Sequence, residues 1–532
     1  MRFAPAIALF GTAAVALASG ALDYTAAGKR WWSHVEYLAS DQLQGRQTGS
    51  EGYRKAAEYV AGQFHELGLE PAGSDGWFQP VRFDVRTLAD PGSSLALVEN
   101  GKQLPLTLGA DAILTPVRDA PPDIDAAAAF VGYGLQAKEA NIDDLAGSDL
   151  RGKIAVYISS APLGITGPVR AHYQATAQRW KALRAAGAAG MIAIPIPASM
   201  DIPWDRIALS RFAPHMYLAD PAMNEMRGEQ FQALWNPARA DELFAGTGHS
   251  ISDLLNAAGG GKPLPHFPLL RRIRAHMVIQ KSETESPNVV AKLPGADPAL
   301  RQEYVVMSAH LDHLGIGRPI NGDAIYNGAM DNASGVASLI ETARALKQRP
   351  APLKRSVIFL AVCGEEKGEL GSLWYAAHPT VSMAGIIADV NVDMFLPLFP
   401  LRWLEVQGLN ESTLGEAVRA AAAADGVQVQ ADKQPQRNLF IRSDQYSFVR
   451  HGVPALAFKF GYVPGDPEEH VQREWLRGRY HAPSDDVKQP VDTAAAAEFD
   501  DIVARLIASV ADNPARPQWY ATSFFRRFAT AR

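Results

Sequence analysis

Residues 304–313, YVVMSAHLDH, place a mostly apolar run directly before a cluster of His, Asp and His. An apolar run of this length, bounded by polar residues, is typical of a buried strand. Two later segments have the same form: residues 356–366, SVIFLAVCGEE, end in two glutamates, and residues 386–393, IIADVNVD, end in an aspartate. Open α/β sheets bind ligands beyond the carboxyl ends of their strands. The sequence therefore predicts that separate strands deliver polar side chains to one site.

Helical patterns lie between or after these strands, in residues 333–346, ASGVASLIETARAL, and 413–424, TLGEAVRAAAAA. This alternation predicts an α/β fold with a mixed, mostly parallel sheet sandwiched by helices. Upstream, apolar residues recur at the helical period within residues 29–72. They predict two helices, the second of which ends at Gly68.

The sequence pattern changes near residue 86. From there to about residue 275, short apolar runs alternate with Gly and Pro turns. It favours a separate β-rich domain inserted into the first one. The predicted organisation is a signal peptide over residues 1–18, an N-terminal part of the main domain over 23–85, an inserted domain over 86–275, the rest of the main domain over 276–515 and a C-terminal tail over 516–532.

The composition is that of an ordinary globular protein, with 47% hydrophobic and 20% charged residues among 532. The net charge of −6 provides no basic field for nucleic acid or anionic lipid. We therefore expect neither a nucleic acid nor a membrane as partner. Cys363 is the only cysteine, which excludes an intramolecular disulfide.

The N-terminal residues 1–18 combine one Arg, an apolar run and a small-residue pattern that ends at Ala18. These features are typical of a secretory signal, so we predict export to the periplasm or the medium. A retained membrane anchor is the alternative, although the run is shorter than the roughly 20 apolar residues that span a bilayer.

Several polar residues in this half of the chain are of the types that bind borderline divalent cations. They are His310, Asp331, Glu366, Asp393 and His481. Each one alone has a structural interpretation, as a buried polar pair, a solvated helix start or a core His. Their joint occurrence in this order favours a two-metal hydrolase.

Glu365 stands beside a ligand and is free to act as a base. Neighbouring side chains diverge in extended backbone, so one glutamate can bind a metal while the other takes a proton. Cys363 is more typical of a strand core than of a nucleophile, because no Cys, His and Asn setting accompanies it. His313 fits a structural or supporting role.

A family resemblance rests on five motifs: AHLDHLG, IYNGAMDNASG, EEKGELGS, SDQYSF and YHAPSDD. With residues 40–73 they resemble the zinc aminopeptidase family that includes bacterial leucyl and yeast vacuolar (aminopeptidase Y-like) aminopeptidases, with glutamate carboxypeptidase as a relative. The intervening segment resembles a protease-associated domain. The resemblance covers about residues 29–510 and implies the zinc exopeptidase fold.

The resemblance also implies a pair of zinc ions bridged by Asp331. His310 and Asp393 would complete one metal site, and Glu366 and His481 the other. A carboxylate suits the bridging position because its two oxygens can span metals about 3.5 to 4 Å apart. Water held between such metals is acidified toward a pKa of about 7, so a nearby carboxylate can accept its proton.

Further roles follow from the same resemblance. Glu365 would be the general base, and Asp312 would orient His310. A cis peptide is expected between Asp331 and Asn332. The chain departs from the family at Asn332, where a second Asp is common, and at Gln445, where a His is common. Candidates for substrate or oxyanion contacts are Asp444, Tyr446, Arg442 and Tyr480.

The predicted function is a secreted dinuclear zinc exopeptidase that removes N-terminal residues from peptide substrates, with the inserted domain as a lid or access element. A carboxypeptidase or dipeptidase on the same site stays open, because arginines lie near the site motifs: Arg442, Arg473, Arg477 and Arg479. A single-zinc glutaminyl cyclase would leave His310 and Asp393 superfluous. A binding protein on an inactive peptidase fold would have no reason to keep every ligand and the base.

Overall fold

The computed structural model describes residues 23–165, 167–200, 202–437 and 439–529. The predicted signal peptide, residues 1–18, lies outside the described residues. Among the helices described, none combines the length and the apolar character that crossing a bilayer requires.

A ten-stranded sheet forms the centre of the main domain. The short strand Glu70–Pro71 pairs with one of its long strands, Ile279–Leu293. The other strands follow each other across the sheet in the order His215–Leu218, Phe78–Leu88, Ile279–Leu293, Ser356–Val362, Tyr304–His310, Ile386–Asn391, Ala455–Gly461, Trp403–Gln407 and Gln428–Ala431.

The middle of this sheet is parallel and buried. The strand Tyr304–His310 pairs in parallel with both Ser356–Val362 and Ile386–Asn391, and every residue of the three is buried. Successive side chains alternate between the two faces, so that Val305 packs into the core on one face and Val306 into the core on the other. The predicted mixed sheet is confirmed, and the carboxyl ends of its central strands meet at one edge.

Helices cover both faces of the sheet. Thr25–Leu38, Ser334–Lys347 and Thr493–Asp512 pack together on one face, where Glu51–Glu66 and Leu414–Ala423 join them. Leu370–Ala377 and Gln445–Arg450 pack on the opposite face. The remaining helices described are Gly167–Gln174, Thr176–Ala185, Trp204–Ile207, Asp241–Phe244, Ile251–Gly259, Pro467–Gly478 and Arg526–Ala529.

The two helices predicted near the N-terminus are present. Ser50 caps the second one by accepting a hydrogen bond from the Tyr53 backbone N–H. Gly68 follows its last turn with a φ of +68°, a left-handed conformation that glycine adopts without steric cost.

A second unit with its own apolar core contains two smaller sheets. The first has the strand order His266–Pro268, Ala128–Val131, Ile154–Ser159, Gly190–Pro195, Phe231–Trp235 and Ala112–Thr115. The second has the order Lys102–Leu106, Ser94–Glu99, Arg272–His276 and Asp123–Ala126. The described residues also contain two strand pairs. Gln136–Ala137 pairs with Ile142–Asp143, and Gly315–Ile320, which lies outside residues 86–275, pairs with Asp323–Tyr326.

Long strands join the two units. Phe78–Leu88 and Ile279–Leu293 pair in antiparallel fashion from Leu88 back to Phe78. His215–Leu218 falls within the range predicted for the inserted domain, yet it pairs with Phe78–Leu88 at the edge of the large sheet. One segment of residues 86–275 thus contributes to the main sheet.

Candidate metal centre

The central strands end at one cluster of polar side chains. His310 is the last residue of its strand, and Asp393 comes shortly after the strand Ile386–Asn391. After Ser356–Val362 the chain turns through Gly364, whose φ is +69°, into a short turn that carries Glu365 and Glu366. The strand ends predicted from the sequence therefore do meet at one site.

One half of the cluster consists of His310, Asp331 and Asp393. The Nε2 atom of His310 lies 3.2 Å from Asp331 Oδ1 and 3.2 Å from Asp393 Oδ1. His310 is buried, whereas 16% of the Asp393 side chain is exposed. Solvent therefore reaches this half of the cluster at Asp393.

The other half contains Glu366 and His481. The Nε2 atom of His481 lies 3.2 Å from Glu366 Oε2 and 3.2 Å from Asp331 Oδ2. The two carboxylate oxygens of Asp331 thus face different histidines. This is the arrangement in which one carboxylate can span two cations.

The hydrogen bond at the far nitrogen of His310 sets its tautomer. Nδ1 lies 3.1 Å from the backbone oxygen of Asp312, to which it donates. This leaves the Nε2 lone pair directed at the cluster, as a metal ligand requires. The contact predicted for Asp312 runs through its carbonyl, since its carboxylate is 4.0 Å from Nδ1.

The Asp312 carboxylate contacts other groups. It accepts hydrogen bonds from the Thr48 hydroxyl at 2.9 Å and from the backbone N–H of Glu365 at 3.1 Å. It therefore fixes the turn that carries the two glutamates.

The donor set fits divalent zinc. Tetrahedral zinc with ligands at about 2.0 to 2.2 Å separates its ligand atoms by about 3.3 to 3.6 Å, and the nitrogen-to-oxygen distances in both halves are 3.2 Å. Two groups of side chains are each compact enough to hold an ion: His310, Asp331 and Asp393 form the first, and His313, Asp331 and Glu366 form the second. A mixture of histidine nitrogens and carboxylate oxygens is a ligand set typical of zinc, whereas calcium is usually bound by oxygen atoms alone.

The electrostatics of the cluster also favour cations. Burial alone would lower the pKa of the His310 ring, but the carboxylates of Glu365 and Asp393 raise it well above its usual range. For His481 burial is likewise outweighed by Glu366 and Asp331, which raise the pKa to about 10. The excess of carboxylates that attracts protons to these rings would attract divalent cations in their place.

Glu365 is a further acidic side chain of this cluster, and it is not among the carboxylates that lie 3.2 Å from His310 or His481. Burial raises its pKa well above the usual range, and the carboxylates of Asp393 and Glu366 add to this shift against the opposing effect of His310. A carboxylate with a raised pKa holds a transferred proton well, which is the property of a general base that later returns the proton.

His313, expected to be structural or supporting, lies against a ligand. Its Nδ1 is 2.7 Å from Glu366 Oε1 and 3.9 Å from Asp331 Oδ2, and the ring is completely buried. Neither Nδ1 nor Glu366 Oε1 has a hydrogen-bond partner among the described residues, and His313, Asp331 and Glu366 together form a group compact enough to hold a metal ion.

The loop that carries Asp331 is held by residues outside the predicted ligand set. Asp485 accepts hydrogen bonds from the backbone N–H groups of Met330, at 2.9 Å, and Asp331, at 3.0 Å. The peptide bond between Asp331 and Asn332 is cis, which confirms the expectation. Asp485 belongs to the YHAPSDD motif, where its position after His481 was the available signal.

Arg46 holds the same loop by hydrogen bonds to backbone carbonyls. Its guanidinium is fully buried and donates to the carbonyls of Leu311, Asn327 and Gly328. Burial lowers its pKa to about 10, an effect that Asp485 and Asp312 oppose. Arg46 stands in the N-terminal stretch of the family resemblance, which was the signal for its importance.

The candidate substrate residues occupy different places. Tyr480 packs against the His481 ring, with centroids 3.9 Å apart and ring planes tilted by 33°, and Arg442 lines a cavity beside Asp393. Asp444 is completely buried beneath the site. The Tyr446 hydroxyl instead lies 2.7 Å from Nδ1 of His172, a residue of the inserted range.

Residues 86–275, predicted to form the inserted domain, contact the loop that carries His481 through one side chain. Arg206 donates to the backbone carbonyls of Arg477 at 2.9 Å and of Tyr480 at 2.6 Å. This connection was not predicted, because no local pattern marks Arg206. It ties a candidate metal ligand to the second unit.

Replacing Arg206 with Ala should weaken zinc binding at Glu366 and His481 by about 10- to 100-fold, as removal of a group supporting a metal ligand commonly does. Titration of the metal-free protein with zinc against a competing chelator measures this. Arg151→Ala is the matched control, because Arg151 belongs to the same unit, is largely exposed and pairs with Asp149. Unchanged affinity in Arg206→Ala would show that the contact does not support the site.

Comparisons with known proteins agree with this geometry. Residues 288–507 match the sequence profile described as Peptidase family M28. Aminopeptidase YwaD of Bacillus subtilis is 27% identical over 193 residues, which are 35% of this chain and 36% of that protein. A probable leucine aminopeptidase 2 of Aspergillus oryzae is 28% identical over 212 residues, which are 38% of this chain and 40% of that protein.

The matched region thus spans less than half the length of both relatives. Over the whole chain, the structure is similar to the aminopeptidase from Aneurinibacillus sp. strain AM-1, with a TM-score of 0.55 and 20% identity, covering 92% of this chain and 95% of that one. This likeness shows a common fold for both units.

Proposed function

We propose that this chain, whose residues 288–507 match peptidase family M28, is a dinuclear zinc exopeptidase that removes N-terminal residues from peptides. The relatives from Bacillus subtilis and Aspergillus oryzae are both named aminopeptidases. The observation that carries the proposal is Asp331, whose two carboxylate oxygens each lie 3.2 Å from a different histidine. A structural ion pair would have no need for this shared geometry.

In this proposal His310, Asp331 and Asp393 hold one zinc ion, and Asp331, Glu366 and His481 hold the other. When bound, the zinc ions would supply Lewis acidity and make water a stronger acid. The residues of the chain fix the ligand atoms: the Asp312 carbonyl sets the His310 tautomer, and Asp485 holds the backbone N–H of Asp331.

Glu365 has the proposed role of general base. Its backbone N–H is held by Asp312, and its raised pKa suits a group that takes a proton from water. As the oxygen of that water adds to the peptide carbonyl, Glu365 keeps the proton. When the C–N bond breaks, Glu365 delivers the proton to the leaving nitrogen.

Tyr480 and Arg442 are the proposed contacts for the carbonyl oxygen as negative charge develops on it. Both residues line the cavity beside Asp393, and Tyr480 also packs on His481. Donors placed at the developing charge are the usual means of stabilising such a transition state.

The inserted unit, in this proposal a protease-associated-like domain, restricts access to the metal centre. A cavity of about 680 Å³ lies between the units, lined by Tyr157 and Arg179 of the inserted range and by Lys367 and Glu369, which follow the site glutamates. Export to the periplasm or medium is also part of the proposal and rests on the apolar N-terminal residues.

The test of the proposed function asks which end of a peptide must be free. An aminopeptidase binds a free ammonium, so N-acetylation of a peptide should abolish cleavage while amidation of its C-terminus should not. Mass spectrometry of a peptide digest by the zinc-loaded protein measures both. Cleavage that survives acetylation but is lost on amidation would assign the protein as a carboxypeptidase.

A further inference from the structure

The C-terminal residues 516–529, predicted from the sequence to be part of a tail, are tied to the main domain. The Trp519 indole N–H donates to the carbonyl of Gly452 at 3.0 Å. The Ser523 hydroxyl donates to the carboxylate of Glu411 at 2.6 Å. Chain ends are usually poorly ordered unless such contacts hold them. Residues 516–529 are therefore a fixed element of the fold, and we call them the C-terminal strap.

The strap packs on the segment 439–446 through a buried aromatic ring. Phe525 is completely buried, and its ring lies edge-on to that of Phe440 with centroids 5.3 Å apart. Both rings belong to one apolar cluster, in which Ile441 and Tyr446 are also buried. An aromatic side chain removes about 150 to 250 Å² from water when it is buried. The strap thus covers the outer side of this segment with apolar surface.

The same segment forms part of the wall of both cavities near the metal centre. Arg442 lines the cavity of about 60 Å³ beside Asp393 and also the cavity of about 680 Å³ between the units. Gln445 lines the smaller cavity and Tyr446 the larger one. On its inner side the segment is anchored by Asn391, whose side-chain amide donates to Gln445 at 2.7 Å. The strap is the support on the other side.

The strap also contacts the range predicted for the inserted domain. The ring of His172 lies 5.4 Å from that of Phe524 and 5.6 Å from that of Phe528, measured between centroids. Nδ1 of this histidine is the atom that lies 2.7 Å from the hydroxyl of the last residue of the segment. Arg527 forms an ion pair with Glu139 at 2.5 Å. The strap therefore joins both units exactly where the segment 439–446 lies between them.

We propose that the C-terminal strap positions the segment 439–446 for peptide binding, with Phe525 and Phe528 as its positioning residues. The inference rests on the proposed exopeptidase function. Among the described residues, those of the strap line neither cavity, so the strap acts through the segment and does not touch the substrate. A displacement of about 1 Å in groups that position a substrate can cost about 100-fold in rate, which makes this support matter for activity.

Phe525→Ala tests the inference in the zinc-loaded, full-length protein with a pentapeptide that has a free ammonium. KM should rise by about 10- to 100-fold at the wild-type zinc content, because contacts that bind the substrate and the transition state equally appear in KM. A purely structural role would reduce the amount of active protein, and with it kcat and zinc, without changing KM. Phe525→Leu keeps an apolar side chain against Phe440 and should restore most of the wild-type KM.

Phe64→Ala is the matched control for loss of a buried ring. Phe64 is also completely buried in the main domain, where it packs near Phe359 with centroids 6.1 Å apart. This variant should lower the Tm and keep the wild-type KM. Should Phe525→Ala not fold, Phe528→Ala removes a ring that is only partly buried and should raise KM in the same direction.

Hydrogen exchange gives a readout that needs no turnover. Backbone amides of the segment 439–446 should exchange faster in Phe525→Ala and Phe528→Ala than in the wild-type protein, while those of the strand Ile386–Asn391 keep their rates. Unchanged exchange in the segment would overturn the inference whatever the activity, and so would a wild-type KM in both variants. Faster exchange in a protein that cleaves no peptide would support the positioning role and defeat only the proposed function.

Discussion

Glu365→Gln lowers the turnover number by about 10²- to 10⁴-fold and leaves the bound zinc at the wild-type amount, if Glu365 is the general base. The amide keeps the size of the side chain and its hydrogen-bonding capacity but cannot take a proton from water. The Glu365 backbone stays anchored, because Asp312 holds its N–H. Elemental analysis together with steady-state kinetics measures both quantities.

The neighbouring substitution Glu366→Gln provides the contrast. Glu366 Oε2 lies 3.2 Å from His481 Nε2 and Oε1 lies 2.7 Å from His313 Nδ1, so loss of its charge should deplete one zinc ion. Equal loss of metal in both variants would show that the two glutamates share the ligand role. Metal loss in Glu365→Gln alone would reverse the assignment.

The strand ends of the site could be predicted from sequence because the signal is local. A buried strand in the middle of a sheet is mostly apolar, and polar residues that follow it lie at the sheet edge. His310 and Asp393 were found in this way, and so was the pair of Glu365 and Glu366. The structure places all of them at the same edge.

The supports of the site could not be predicted in this way, because they depend on tertiary contacts. Arg46 and Asp485 reach the Asp331 loop from regions that are distant in sequence. The tautomer of His310 depends on a backbone carbonyl of Asp312, and every residue has such a group. Arg206 likewise contacts backbone carbonyls of the His481 loop. Every residue has such a carbonyl, so the side-chain pattern does not reveal the contact.

The domain boundaries could not be predicted fully from sequence either, because they depend on strand pairing. His215–Leu218 lies far along the chain from the other strands of the main sheet, yet it pairs with Phe78–Leu88. Its four residues resemble the short strands of the inserted unit in composition. Edge strands of this length are defined by their partner more than by their own sequence.

Asp331→Ala should have the second large effect, because Asp331 faces both histidines of the cluster. Its Oδ1 lies 3.2 Å from His310 Nε2 and its Oδ2 lies 3.2 Å from His481 Nε2. Removing the carboxylate takes one ligand from each candidate zinc ion at once. Elemental analysis should therefore find at most one zinc per chain where the wild-type protein binds two.

The expected loss of kcat/KM for Asp331→Ala is about 10³-fold or more, because a catalytic metal supplies several kcal/mol of transition-state stabilisation and about 1.4 kcal/mol corresponds to a factor of ten. Asp323→Ala is the matched control, since Asp323 is exposed on the hairpin just before this loop and should keep both metal and activity. Two zinc ions retained in Asp331→Ala would mean that Asp331 does not bridge them. The metals would then have to be held by the remaining carboxylates, with His313 as the additional nitrogen ligand beside Glu366.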